Sequence, residues 1–154
     1  MTITTDSPTF DVLVTGARDW ADYAMLSAAL WDQYQFAYAL GMRLKVIHGN
    51  CPDGADAMAD YWAKEMSQYG VIVKPVDADW ERLCDDTCYH KPRYRRDGTR
   101  YCPLAGHIRN QQMVDMRPRV CLAFLTPAAR GTRDCARRAE KANIPLIHYP
   151  EGTR

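Results

Sequence analysis

Three cysteines and a histidine fall close together in one polar stretch: Cys84, Cys88 and His90, followed by Cys102. Three thiolates and an imidazole form the donor set of a tetrahedral zinc site, and four protein ligands leave no position open for catalysis, so the metal expected is structural. His107 is the other candidate for the fourth ligand. The surrounding segment, 81–105, has almost nothing apolar to fold around, so metal binding would stabilise it outright. Free thiols on an unordered loop are the bland alternative. Between the ligands stand Lys91, Arg93, Arg95, Arg96 and Arg100 against Asp97 alone, with Tyr94 and Tyr101 interleaved. Such a mixture can grip single-stranded nucleic acid; a solvated basic knuckle lying over an anionic ligand competes with that reading.

A second chemistry, anion binding, is suggested by four small-residue turns. The first is Thr15-Gly16-Ala17-Arg18-Asp19, where a glycine lets backbone N–H groups approach an anion and Arg18 supplies a fork of donors. The second runs from His48 through Gly49 and Gly54 to Asp56; Asp53 reads as a helix cap, and Asp56 as an acceptor for a ribose hydroxyl. A third places Arg109 and Asn110 near a helix start. In the fourth, Pro127-Ala128-Ala129-Arg130-Gly131-Thr132, arginines crowd a helix N-terminus that already carries about half a positive charge, an arrangement suited to a bound anion. Each turn alone reads equally well as ordinary loop chemistry; the case rests on all four together.

The elements that would position these turns are legible as apolar runs. Residues 10–16, 43–49, 71–77, 119–125 and 145–149 are short, rich in aliphatic residues and bounded by Gly, Pro or Asp, as buried strands are. Helical spacing fills the gaps: Ala55, Met58, Ala59, Trp62, Ala63 and Met66 share one face, and further helices are expected over about 20–40, 106–116 and 132–143. The aromatic stripe of the 20–40 segment reads as core, or as the face of a homodimer. Strand–helix alternation with nearly continuous apolar strands predicts an α/β fold: a Rossmann-like, doubly wound, mainly parallel five-stranded sheet with helices on both faces and a small inserted Cys/His knuckle. Residues 1–9 read as a flexible tail, 10–150 as one domain and 81–105 as its insertion. In such sheets ligands sit beyond the carboxyl ends of the strands, where the four turns belong.

Composition narrows the classes. The chain has 154 residues, is 47% hydrophobic and 25% charged, and carries a net charge of +1, values of a soluble globular domain without whole-surface attraction to nucleic acid. No apolar stretch approaches the roughly 18 residues of a membrane span, and no membrane association is expected. The N-terminus lacks a signal-peptide layout, so a cytoplasmic location is expected. Six cysteines there read as thiols or metal ligands, and no redox cofactor is expected.

The four turns, in this order, resemble the SLOG superfamily of Rossmann-like domains, which includes the LOG phosphoribohydrolases, the DprA proteins and the YspA-type branch of bacteria and phages. The likeness is greatest to the YspA-type branch, through "TGARDW" (15–20), "HGNCPDGAD" (48–56) and "RNQQM" (109–113), and it extends over about 10–148 apart from the insertion. The resemblance implies a pocket for a nucleotide or nucleotide-derived small molecule, lined by Gly16, Arg18, Asp19, Gly49, Gly54, Asp56, Arg109, Asn110, Arg130, Gly131 and Thr132, in a sensor or sequestering protein of a phage or bacterium. In the LOG family a Pro-Gly-Gly-x-Gly-Thr turn holds the phosphate; here Pro127, Gly131 and Thr132 keep the frame while Ala128 and Ala129 replace two glycines. The LOG catalytic glutamate falls on Cys135, with Asp134 one place early, so hydrolysis of a nucleoside phosphate, with Arg109 and Asp134 as candidate catalytic residues, stands as the alternative. A single-stranded nucleic-acid accessory is the second alternative.

Overall fold

A computed structural model describes residues 2–86 and 88–150. The first apolar run forms β1 (Thr9–Gly16), followed by α1 (Tyr23–Ala39), β2 (Arg43–His48), α2 (Gly54–Glu65), a single 3₁₀ turn and β3 (Ile72–Pro75). After a long polar excursion come a two-residue hairpin, β4 (Arg93–Tyr94) and β5 (Arg100–Tyr101), then α3 (Ala105–Asp115), β6 (Val120–Leu125), α4 (Arg130–Lys141) and β7 (Leu146–Pro150). The five long strands form one parallel sheet in the order β3-β2-β1-β6-β7. The fold is α/β and Rossmann-like, as the alternation predicts.

Alternation along β1 divides the core into two layers. Val12 and Val14 point to the side covered by α1 and α2, where they meet Leu26, Leu30, Ala59 and Trp62. Leu13 points to the opposite side, against Met113 and Val114 of α3 and Cys135 and Ala139 of α4. All three β1 side chains are fully buried, and each such burial contributes roughly 1.5–3 kcal/mol. Phe124 of β6 closes one end of the first layer, edge-on to Trp20 at 5.3 Å and stacked on Tyr149 at 4.8 Å.

Helix α1 begins where Asp22 accepts a hydrogen bond from the Met25 amide at 3.0 Å. Its aromatic residues do not all enter the core: Trp31, Phe36 and Tyr38 are exposed. Trp31 and Tyr34 instead stack on each other along the helix surface at 5.3 Å. Residues ahead of β1 lie against β2, where Arg43 donates to the Thr5 carbonyl at 3.2 Å and its amide to the Pro8 carbonyl at 2.9 Å.

Between β3 and α3 the chain departs from the layers. Leu83 and Tyr89 are 89% and 95% exposed, and Cys102 is the buried residue at the base of the loop. The hairpin is closed by Gly98 at φ 87°, with its amide on the Arg95 carbonyl at 3.0 Å. Among the described residues no helix is long and apolar enough to cross a membrane.

Candidate functional site: a cleft at the strand ends and a Cys/His knuckle

Strands β2 and β6 flank β1, and the crossovers leave β1 in opposite directions: β2 follows on one side, β6 comes later on the other. At such a switch point the loops part and leave a crevice. A cleft of about 480 Å³ opens there, and all four small-residue turns reach its walls. Gly16, Arg18, Asp19, Gly49, Asp56, Arg109, Asn110, Arg130, Gly131 and Thr132 all line it. Gly54 does not; it borders a separate shallow hollow with Tyr23 and Tyr61.

The first two turns are locked together by close backbone approach. A Cβ on Gly16 would lie 2.2 Å from the Ala55 Cβ, and one on Gly54, whose φ is 71°, would lie 2.2 Å from the Ala17 carbonyl oxygen. The Ala55 amide donates to that carbonyl at 3.2 Å. Gly54 therefore acts beneath the cleft, by letting the second turn dock on the first. Asp53 stands at the N-cap of α2, but its side chain makes no capping bond; the expected cap is absent.

The second turn is braced by His48, fully buried. Its Nδ1 accepts from the Asn50 amide at 2.9 Å, so the ring proton resides on Nε2 and is donated to Asp60 at 2.9 Å. Asp56 is 6% exposed and accepts the Cys51 amide on Oδ2 at 3.2 Å. Burial pushes its carboxyl above the ordinary value, against the opposing pull of the Cys51 amide, His48 and Arg109. The Gly49 amide is a further donor to this carboxylate, which lines the cleft.

Helix α3 ties the turns to one another. The Arg109 guanidinium donates to the Gly49 carbonyl, and its Nε to Asn110 Oδ1 at 3.1 Å. The Asn110 amide group donates to the Gly131 carbonyl at 3.2 Å and to Asp134 at 3.0 Å. Across the cleft, the Thr126 hydroxyl donates to Asp19 at 2.6 Å.

The fourth turn supplies the anion seat. Helix α4 starts at Arg130, two places earlier than its periodicity predicts, with Ala129 at the N-cap. Ala129 has φ −83°, and neither alanine of the turn is left-handed, so the glycines of the LOG pattern are not required for this backbone. Among the described residues the amides of Gly131 and Thr132 meet no acceptor. They are the free N–H groups of a helix N-terminus, which favour an anion. A Cβ on Gly131 would meet nothing within 4 Å. Arg130 lines the cleft, whereas Arg133 is occupied outside it, donating to the Thr126 and Pro127 carbonyls at 3.1 Å.

Asp134 lies outside the cleft lining. It accepts from Arg138 at 2.9 Å, Asn110 at 3.0 Å and His107 at 3.0 Å. Burial opposes its ionisation, but these donors outweigh it and hold the carboxyl down at about 2. A carboxylate so fully partnered is an anchor between α3 and α4. Its spacing to Arg138, four residues on, is the sequence signal for that role.

In the knuckle, the ligating atoms of Cys84, Cys88, His90 and Cys102 lie within 4.8 Å of one another. The Cys88 and Cys102 sulfurs are 3.8 Å apart, and His90 Nε2 is 3.7 Å from Cys84 and 3.8 Å from Cys102. A tetrahedron with thiolate bonds of about 2.3 Å places its sulfurs about 3.8 Å apart, so the group fits a metal ion. The Lys91 carbonyl, 2.7 Å from His90 Nδ1, fixes the tautomer that leaves Nε2 free to ligate. His107 is not in the group; it pairs with Asp134.

Arg82, which the sequence reading passed over, donates to the Cys88 and Cys102 sulfurs at 3.2 and 3.0 Å. Burial raises the Cys102 thiol, but Arg82 and His90 overcome it and bring it down to about 6. Cys51 and Met113, neither of them among the expected pocket residues, also line the cleft; they lie inside the "HGNCPDGAD" and "RNQQM" motifs, which are the signals that could have found them.

The sequence model of the family described as "YspA, cpYpsA-related SLOG family" matches residues 10–83, which hold the first two turns. Over 141 residues the chain is 38% identical to the Gene 61 protein of Mycobacterium phage D29, an alignment covering 90% of this chain and 94% of that protein.

Proposed function

The chain belongs to the YspA, cpYpsA-related SLOG family, and from that premise we propose that its cleft binds a nucleotide or nucleotide-derived phosphate ligand, as a sensor or sequestering protein of phage type. The observation that carries this reading is the pair of unpartnered amides at Gly131 and Thr132, facing a cleft into which Arg18 and Arg130 also project. The phosphate sits on those amides with arginines completing its charge. The Asp56 carboxylate accepts a ribose hydroxyl at the other wall, and Arg109 holds the Gly49 turn in place for it. Titration calorimetry with adenosine monophosphate and ADP-ribose tests the reading. Binding by the parent, weakened at least tenfold in Gly131→Asp, supports it; equal binding by both proteins, or none by the parent, overturns it.

Asp56 also favours a second reading, cleavage of an N-glycosidic bond. A buried carboxyl held above its ordinary range is suited to donate a proton to a leaving base. Asp134, ionised and fully partnered, is not. Release of free base from a nucleotide panel, abolished in Asp56→Asn, supports hydrolysis; no release at high protein concentration excludes it.

For the knuckle we propose structural zinc. Three thiolates and an imidazole at tetrahedral spacing supply a closed coordination shell, and Arg82 offsets the excess negative charge of three thiolates. The bound ion would supply no chemistry beyond holding the loop. One zinc per chain by elemental analysis supports the proposal, and a content well below one overturns it.

A further inference from the structure

Residues 117–141 carry seven arginines and lysines against Asp134 and Glu140, whereas the whole chain stands at +1. The rest of the sequence is therefore net negative, and this stretch holds a local excess of positive charge, four of its cations on one groove. Within it, a groove of about 710 Å³ runs between the C-terminal halves of α3 and α4, on the far side of Asn110 from the cleft. Arg117, Arg137, Arg138 and Lys141 line it. Two carboxylates share the groove: Asp115, and Asp134, which pairs with Arg138 at 2.9 Å and Arg137 at 3.5 Å and bonds His107 at 3.0 Å. Among the described residues Arg117 and Lys141 have no carboxylate partner.

Arg117 is the unusual member. It follows α3 in the left-handed region, at φ 57°, with its amide on the Val114 carbonyl at 3.0 Å. Glycine or asparagine ordinarily fills that position, because any larger residue is strained there. Lys141, in the last turn of α4, and Arg117, just past the C-terminus of α3, each place a cation where the helix dipole favours one.

We propose that this groove binds the phosphodiester backbone of a single-stranded nucleic acid. Apart from Val114 and Ala142 its lining is polar, so it offers no pockets for the side chains of a peptide. Arg137 and Lys141, one turn apart, stand about 6 Å apart along the helix, so successive phosphates can engage successive cations, with the arginines forking onto phosphate oxygens.

The test is fluorescence anisotropy of a labelled oligothymidylate of about 20 nucleotides, long enough to exceed a typical site of about 4–16, with the full-length protein over a range of salt. Three engaged phosphates predict a log–log salt slope of about −2. Arg137→Glu with Lys141→Glu should weaken binding at least tenfold, while the affinity for adenosine monophosphate in the cleft stays unchanged. Arg117→Gly should weaken oligonucleotide binding several-fold while raising the melting temperature, a pairing that a purely structural arginine would not give. No oligonucleotide binding would overturn the proposal. So would equal binding by the groove variants, loss confined to Arg93→Glu with Arg95→Glu in the hairpin, or competition by polyglutamate as strong as by unlabelled oligonucleotide.

Discussion

The cleft loops hang from strands that bury Val12, Leu13 and Val14 completely, whereas the knuckle between β3 and α3 leaves Leu83 and Tyr89 in water and buries Cys102 at its base. The first region is positioned by packing: Gly16 and Gly54 let two turns interlock, and Arg109 and Asn110 lace a third and fourth to them. In the second, four side-chain donors lie within 4.8 Å of one another, the set that the proposed zinc would hold. A loop that is nearly all polar cannot recover its ordering entropy from apolar burial, so its shape depends on what those donors hold. The two regions meet at α3, where the Cys102 amide bonds the Trp80 carbonyl at 3.4 Å and the Trp80 ring lies 3.3 Å from a Cβ placed on Gly106.

That contrast can be broken most forcefully at the knuckle. Chelation, or Cys102→Ser, should remove a binding free energy on the order of 10 kcal/mol. Hydrogen exchange should then show residues 80–104 unprotected while β1 and β6 keep their protection; collapse of both regions together would erase the distinction. The converse change is Leu13→Ala in the sheet, with an expected cost of about 2–5 kcal/mol in denaturant unfolding. Metal content per folded chain should not change.

A smaller effect belongs to the lacing. Arg109→Ala should cost about 1.5–3 kcal/mol of nucleotide affinity, read by calorimetry, because the Gly49 turn loses its donor. Gentlest is the acid limb of stability. The Asp134 carboxyl is lowered from its ordinary value of 3.8 to about 2, so its contribution is present above the unfolded value and lost as pH falls from about 5 through 2. Its magnitude is about 1–2 kcal/mol. In urea titrations across this window, Asp134→Asn should flatten the limb.

Much of this was readable from residues alone, for reasons that differ by region. Apolar runs bounded by Gly, Pro or Asp located the five strands to within a few residues: burial on both faces leaves β1, β2 and β6 a nearly continuous hydrophobic signature, whereas the edge strands β3 and β7 bury no residue and are marked by their aliphatic side chains and flanking breakers. The start of α4 was not marked: Ala129 offers no capping side chain, so periodicity alone set the boundary two residues late. Long-range partners were invisible. Nothing local in Gly54 distinguishes a residue lining a cleft from one packed under it, and nothing in "ERLC" announces that Arg82 donates to two cysteine sulfurs. The aromatic stripe of α1 was ambiguous because Trp31 and Tyr34 cover each other on the surface.

The most direct test of the cleft is a crystal structure of the protein soaked with adenosine monophosphate. The account predicts the phosphate within hydrogen-bonding distance of the Gly131 and Thr132 amides, with Arg18 or Arg130 completing its shell. A phosphate seated elsewhere, or a cleft filled by solvent alone at saturating nucleotide, would contradict it.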